Sequence, residues 1–162
     1  MSEDRFVKID RMRYTKNKMS STLALLAIVF DVLYFVSIYQ SDVGSYYYTI
    51  LIGASVLYNL IFMLMAFLSS EGVKNYKRGY SWLLIALGVI QIARIFILPM
   101  GAFEATVKIK KDVIQVMGGG QFAWVVACLV ISAVCCFASA VINLLKSRQL
   151  EKHIASLDAP AA

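Results

Sequence analysis

The chain has 162 residues, of which 60% are hydrophobic, with a mean hydropathy of +0.70 and a net charge of +6. A water-soluble domain of this length cannot bury so much apolar surface, so the composition excludes a soluble globular protein. The basic balance could suit nucleic acid, but each basic cluster flanks an apolar segment where membrane topology already requires positive charge. We therefore expect the lipid bilayer to be the main partner of the chain, and no nucleic acid.

Residues 1–19 form a basic segment that contains the run RFVKIDRMRYTKNK. Phe6, Ile9 and Met12 stand at helical spacing among its charges. Two interpretations stay open, a short amphipathic helix on the anionic inner leaflet or a solvated segment that only sets topology. A cleaved signal peptide is not expected, because the next apolar segment is too long and no small-residue cleavage site follows it.

Four apolar segments follow, at 20–39, 47–68, 81–98 and 122–145. A helix that rises about 1.5 Å per residue crosses a hydrocarbon core of about 30 Å in roughly 20 residues, which each segment approaches or exceeds. None shows the alternation of membrane strands. We predict an all-α polytopic membrane protein, a single domain built as a four-transmembrane-helix bundle, whose fourth helix continues past Leu145 into the cytoplasmic tail, 146–162.

Positive residues are concentrated on one side of these segments. Six lie in the amino-terminal segment, three in the second connection and three in the tail, against three in the third connection. Because positive residues in short flanks resist translocation, both termini are predicted to lie in the cytoplasm. The expected location is a cell membrane, as in a bacterial inner-membrane protein.

Three of the apolar segments carry charged or amide residues at similar, near-central depths. Helix arithmetic from the cytoplasmic ends places Asp31 at a depth of about 16 Å and Arg94 at about 20 Å, with Gln91 one turn from Arg94 on the same face. Asn59 falls about 18 Å from the outer end of its segment. An unpaired charge at such depth costs about 2.5 to 3.5 kcal/mol on insertion scales, so Asp31 and Arg94 are expected to face inward and pair. Gln91 and Asn59 could then satisfy their remaining lone pairs and donors.

This intramembrane polar cluster has two interpretations. A mutually neutralising pair with amide neighbours can fix the register of a bundle, as a structural clamp. Ionisable residues at membrane depth also line substrate paths and gates, so the cluster could instead be a ligand site.

The fourth segment carries a face of small, weakly polar residues at helical spacing: Cys128, Ser132, Cys135, Ser139 and Asn143. Such residues let helices approach closely in lipid and form interhelical hydrogen bonds. Redox or metal chemistry is the competing interpretation, but the segment has no CxxC motif and the single histidine, His153, lies in the tail. We expect helix packing, with no disulfide, no metal and no cofactor.

The third connection, 101–121, contains the segments ATVKI and VIQV on either side of two lysines and an aspartate. Partial alternation and β-branched residues predict a short outward-facing β-hairpin that rests on the bundle or adds strands to a partner. A mobile loop is the alternative. The glycines 118–120 are expected to act as a flexible joint before the fourth helix.

The runs DRMRYTKNK, DVLYFVSIYQSDVGSYYY and SSEGVKNYK resemble an uncharacterised four-span integral membrane protein family of gut Firmicutes. The resemblance covers most of the chain and implies a four-span topology, but it brings no assigned activity.

The chain offers no catalytic triad, no HExxH, no phosphate loop and no paired carboxylates, so an enzyme is not expected. The favoured function is a non-enzymatic accessory or scaffold subunit of a membrane complex such as a transporter, bound to another membrane chain or to itself. The alternative is a small homo-oligomeric transporter or channel with a polar path at Asp31, Asn59, Gln91 and Arg94.

Overall fold

The computed structural model describes residues 16–39, 46–104, 106–109 and 112–158. Its elements, in chain order, are α1 Lys18–Ile38, α2 Tyr46–Lys74, α3 Arg78–Ile95, α4 Leu98–Glu104, β1 Thr106–Ile109, β2 Asp112–Gln115 and α5 Gly119–Asp158. Four helical segments are long and apolar enough to cross a membrane: Lys18–Ile38, Ile52–Lys74, Arg78–Glu104 and Gly119–Ala155. The predicted all-α class with four spans is confirmed, and it is compatible with a multi-pass integral membrane protein.

The helices differ in length from the apolar segments that predicted them. α2 runs on through Ser69 and Ser70 to Lys74, because a helix does not have to end where its apolar residues end. α3 ends at Ile95, earlier than predicted, and a turn at residues 96–97 leads into α4. Pro99 explains this break, since proline lacks a backbone N–H and fits only the first turn of a helix.

The long helices enclose two apolar core clusters. α5 packs closely along α1 and α3, whereas α2 packs on α1, more loosely on α3, and scarcely touches α5. We call the end of the bundle that carries Lys18, Lys74 and Arg78 the basic end, and the opposite end the far end. Large apolar side chains point away from the bundle, for example Leu57 at 61% and Leu64 at 60% exposed, as expected of a surface that meets lipid.

A polar network closes the basic end. Asn17 caps α1 by accepting from the Ser20 amide, its own amide donates to the Lys74 carbonyl, and its side chain donates to Asn143 Oδ1 at 3.2 Å. Asn143 in turn donates to Ser81 Oγ at 2.8 Å. Asn17 therefore caps α1 and also links it to α2 and α5 directly, and to α3 through Asn143.

The connection between α2 and α3 is a tight turn. Tyr76 has φ 59°, in the left-handed region, and its amide donates to the Val73 carbonyl while the Lys77 amide donates to that of Gly72. These bonds satisfy carbonyls at the end of α2 in the manner of a left-handed C-cap. Position 72 requires a glycine, because the Tyr80 ring fills the space that the Cβ of any other residue would occupy. Burial raises the pKa of Tyr76.

β1 and β2 pair antiparallel over four residues each, with Thr106 opposite Gln115. The predicted bounds of the hairpin, 101–121, are too wide, because residues 101–104 belong to α4 and residues 119–121 to α5. The expected glycine joint is wrong for its last two glycines, which open α5. That the ribbon faces outward stays a prediction, and the predicted amphipathic helix at Phe6, Ile9 and Met12 lies outside the described residues.

Candidate intramembrane polar site

Three of the four predicted cluster residues meet at the centre of the bundle. Arg94 Nη1 of α3 donates to Asp31 Oδ1 of α1 at 3.1 Å, and Gln91 Nε2 donates to the same oxygen at 2.8 Å. Asp31 is 1% exposed, Gln91 0% and Arg94 6%. These bonds link α1 to α3 across the bundle, and the two opposite charges neutralise each other where water is excluded.

The guanidinium of Arg94 has further partners. Its Nη2 donates to Ser55 Oγ of α2 at 2.7 Å. The Tyr34 and Tyr58 rings lie 4.4 and 4.7 Å from its central carbon, which is cation–π distance. An arginine at membrane depth is thereby held by a carboxylate, a hydroxyl and two aromatic rings.

Asn59 does not join this group. It is 2% exposed, yet neither of its amide atoms has a hydrogen-bond partner among the described residues. The expectation that it satisfies atoms of the Asp31–Arg94 pair is therefore wrong. Ser55, one turn earlier on the same face of α2, takes that place, whereas Asn59 lies beside the α1–α2 cavity.

The central cluster leaves several buried polar atoms unpaired in the described part of the chain. Besides Asn59 Nδ2 and Oδ1, these include Asp31 Oδ2, Gln91 Oε1 and the Tyr58 hydroxyl. Buried polar groups are nearly always hydrogen-bonded, and an unmade bond costs about 1 to 3 kcal/mol. So many together suggest a role other than stability.

Two cavities flank α2 beside these atoms. The α2–α3 cavity measures about 220 Å³ and is lined by Ala54, Ser55, Tyr58, Ile90, Ala93, Arg94, Ile97 and Leu98. The α1–α2 cavity measures about 150 Å³ and is lined by Asp31, Val32, Phe35, Val56, Asn59, Leu60 and Met63. Ile97 is 58% exposed and Leu60 56%, so both cavities extend to the outer surface of the bundle.

The predicted packing face of α5 lies against α1 and α3. Ser132 Oγ donates to the Ala27 carbonyl at 2.9 Å and lies 3.4 Å from Gln91 Nε2. Ser139 bonds to Ser20, and Asn143 belongs to the network at the basic end. Cys128 and Cys135 are buried in apolar clusters. Within the ranges that the structure describes, no group of three metal-ligating side chains occurs.

Sequence reasoning found the pairing of Arg94 with Asp31 but missed its contacts with Ser55, Tyr34 and Tyr58, and most of the network at the basic end. Ser55 stands four residues before Asn59, and Tyr34 three residues after Asp31, so each shares a helix face with a predicted cluster residue. Asn17 stands directly before a helix, three residues from Ser20, which is an N-cap signal. Tyr58 gives no such signal, because its position next to Asn59 puts it on another face.

Comparison with known protein-family models, curated proteins and solved structures finds no match. The likeness to a four-span family of gut Firmicutes stays a prediction. What bears on function is the chemistry of the polar cluster and its cavities.

Proposed function

We propose that this chain is a small non-enzymatic membrane transporter or channel, in which a homo-oligomer encloses a solute path at Asp31, Asn59, Gln91 and Arg94. In this proposal it lies in the cell membrane with the basic end and both termini in the cytoplasm. The excess of positive residues in the flanks of that end supports the orientation.

The observation that carries the proposal is the pair of cavities beside unpaired buried polar atoms. A cluster that served only as a clamp would gain by pairing every polar atom, since each unpaired one destabilises the bundle. Asn59 instead stands at the α1–α2 cavity with its whole amide unpaired among the described residues. These atoms lie beneath the apolar walls of the cavities, so a solute would form hydrogen bonds with them only when α2 shifts to expose them.

The loose attachment of α2 supports a path that needs more than one copy. Both cavities lie beside α2 and extend to the bundle surface, where lipid cannot hydrogen-bond with polar atoms. A second copy packed over them would enclose the polar atoms between protein walls. An ion on that path would pass close to the paired charges of Asp31 and Arg94.

Solute flux into proteoliposomes tests the proposal. The purified chain is reconstituted and assayed with a panel of uncharged, anionic and cationic solutes. The informative variant is Asp31→Asn combined with Arg94→Gln, which changes the polar path without leaving one buried charge unpaired. Ser69→Ala is the matched control, because Ser69 lies on α2 and its hydroxyl donates within its own helix, to the Met65 carbonyl. Flux above that of empty liposomes, altered by the double variant alone, supports transport; no flux for any solute overturns it.

An accessory or scaffold subunit of a membrane complex is the second candidate. The observation that favours it is the full engagement of Arg94, whose charge is neutralised by Asp31 and so cannot drive ion coupling. In this alternative the pair fixes the bundle as a platform, and the β1–β2 ribbon adds an outward-facing contact.

A mild-detergent pull-down separates the two candidates. The tagged chain is purified from its native membrane with and without the combined Asp31→Asn and Arg94→Gln substitutions, and co-purifying chains are identified by mass spectrometry. A stoichiometric partner that is lost with the variant supports the accessory subunit. A homo-oligomer alone supports the transporter.

A further inference from the structure

We infer that a patch of lysines at the basic end binds the headgroup of an anionic phospholipid. We call it the basic patch, and its members are Lys16, Lys18, Lys74, Lys77 and Lys146. The site goes beyond the proposed transport function and does not depend on it, because a bound lipid can serve a transporter and an accessory subunit alike. Three properties of the patch support it: the way its residues converge, its unbalanced charge and its apolar border.

Three lysines of the patch surround Asn17, which is fully buried. Lys16 and Lys18 are its neighbours in the chain, and both are exposed. The Asn17 amide donates to the Lys74 carbonyl at 3.2 Å, and this bond holds the end of α2 beside the start of α1. Lysines from two separate segments of the chain therefore lie around one residue.

Asn143 of α5 brings in the other two lysines. It accepts from Asn17 Nδ2 at 3.2 Å, and its own Nδ2 donates to the Lys77 carbonyl at 3.2 Å. Lys77 is exposed, and Lys146 follows Asn143 by about one helical turn. Membrane topology requires only that positive residues flank the spans on one side. Here hydrogen bonds gather them at one place as well.

The acidic residues at this end do not balance the charge of the patch. In the ranges that the structure describes, Glu71 pairs with Lys74 and Glu151 pairs with Arg78. No ion pair there involves the other four lysines of the patch. Positive charges held close together repel one another, and an anion among them relieves that repulsion. A cluster of about four to eight basic residues beside membrane helices is typical of a site for anionic lipid.

The patch borders directly on the apolar surface of the bundle. Three of the four membrane-crossing helices have a basic terminal residue at this end: Lys18, Lys74 and Arg78. Met19, next to Lys18, is 61% exposed, and Leu145, next to Lys146, is 55% exposed. The ligand therefore needs an anionic head that continues into apolar chains. A phospholipid has both parts, whereas free phosphate, nucleic acid and an acidic protein segment lack the chains.

The two tryptophans of the chain give a direct readout, because one lies near each end. Trp82 is 66% exposed and follows Arg78 by about one turn, at the basic end. Trp124 is 52% exposed and lies near the start of α5, at the far end. The full chain is reconstituted in vesicles that mix phosphatidylcholine and phosphatidylglycerol, with bromine on the acyl chains of one lipid or the other. Bromine quenches tryptophan fluorescence at short range, so quenching reports which lipid lies beside each tryptophan.

Each tryptophan is measured alone, Trp82 in a Trp124→Phe chain and Trp124 in a Trp82→Phe chain. At equal fractions of the two lipids, we expect brominated phosphatidylglycerol to quench Trp82 more than brominated phosphatidylcholine does, with no such preference at Trp124. A lysine beside an anionic surface contributes about a fivefold preference. Lys77→Gln combined with Lys146→Gln should therefore weaken the preference at Trp82 by up to about 25-fold.

A charge-matched control separates the patch from the net charge of the chain. Lys108→Gln combined with Lys152→Gln removes the same charge outside the patch, since Lys108 lies on β1 and Lys152 on the extension of α5. The control should keep the preference at Trp82. Inorganic phosphate, added at constant ionic strength, should not compete with the lipid.

A preference at Trp82 that the patch variant weakens and the control keeps supports the site, whether or not liposomes show flux. Equal quenching of Trp82 by the two lipids, or an equal preference at Trp124, would overturn it. A preference that the patch variant leaves unchanged, or that the control weakens equally, would overturn it as well. If inorganic phosphate abolishes the preference, the patch binds phosphate alone and the lipid site is wrong.

Discussion

Ser20 of α1 and Ser139 of α5 form reciprocal hydrogen bonds, in which the hydroxyl of each donates to the backbone carbonyl of the other. Ser139 Oγ lies 2.7 Å from the carbonyl oxygen of Ser20. Both residues are fully buried. The two backbones can approach this closely only because neither side chain is larger than a hydroxymethyl group. In lipid, such small polar contacts are a main source of helix association.

The first prediction concerns this contact. Ser139→Ala should destabilise the bundle only slightly, by about 0.6 kcal/mol, the average for interhelical hydrogen bonds in membranes. Ser139→Leu should destabilise it by about 1 to 3 kcal/mol, because the larger side chain forces α1 and α5 apart. Val134→Leu is the control, since Val134 lies on α5 with 57% of its surface exposed. Unfolding in mixed micelles, followed by circular dichroism, measures all three; a Ser139→Leu variant as stable as the wild type would contradict the close packing.

The second prediction concerns the Asp31–Arg94 pair. Asp31→Asn alone should lower the free energy of unfolding by about 3 to 5 kcal/mol, because it leaves the Arg94 charge buried without its counter-ion. Adding Arg94→Gln should restore part of that loss, so the two changes are not additive. The matched control is Glu71→Gln, which breaks the exposed Lys74–Glu71 pair and should change stability by less than about 1 kcal/mol. Additive effects in the unfolding cycle would show that the two charges do not interact.

The third prediction concerns two helical glycines. A Cβ on Gly88 of α3 would lie 2.9 Å from the Phe137 ring of α5, whereas one on Gly53 of α2 would meet nothing within 4 Å. Gly88→Ala should therefore destabilise the bundle by pushing Phe137 aside. Gly53→Ala should be neutral or stabilise it by up to about 1 kcal/mol, the intrinsic helix preference of alanine. The same unfolding assay compares them, and a more stable Gly88→Ala variant would rule out the close α3–α5 contact.

The fourth prediction concerns orientation. In a background with Cys128, Cys135 and Cys136 replaced by Ala, single cysteines are placed at Glu104 near the far end and at Lys152 on the extension of α5 beyond the basic end. Both positions are exposed. A membrane-impermeant maleimide added to intact cells should label Glu104→Cys, and should label Lys152→Cys only after the cells are opened. Labelling of Lys152→Cys in intact cells would reverse the proposed topology.

Much of the polar cluster could be predicted from the sequence. Helix rise is constant and the bilayer sets a common depth, so counting residues is enough to place Asp31, Gln91 and Arg94 at similar heights on antiparallel or parallel helices. The high cost of an unpaired charge then requires the two ionised residues to meet. The structure places them 3.1 Å apart.

The position of Asn59 and the contacts of Arg94 with Ser55 and two tyrosines could not be predicted in this way. The rotation of α2 decides whether the face of Ser55 and Asn59 points towards Arg94, and the position of α2 along its axis decides which of the two lies beside it; both depend on many small contacts with α1 and α3. Residue spacing gives the relative angle between Ser55 and Asn59 on one helix, but not the direction in which their shared face points. The two cavities could not be predicted either, because each is a gap between neighbouring helices and depends on how those helices pack.

By itself, the sequence determined the class of the protein, the approximate spans and the distribution of charge between the two ends, because hydropathy and charge are properties of each segment alone. Only the tertiary structure decided that α1, α3 and α5 pack tightly while α2 is held more loosely, that Asn59 stands at a cavity rather than beside Arg94, and that Arg94 lies between two tyrosines. These features depend on helix rotation and tilt, which are set by the simultaneous packing of side chains from every helix.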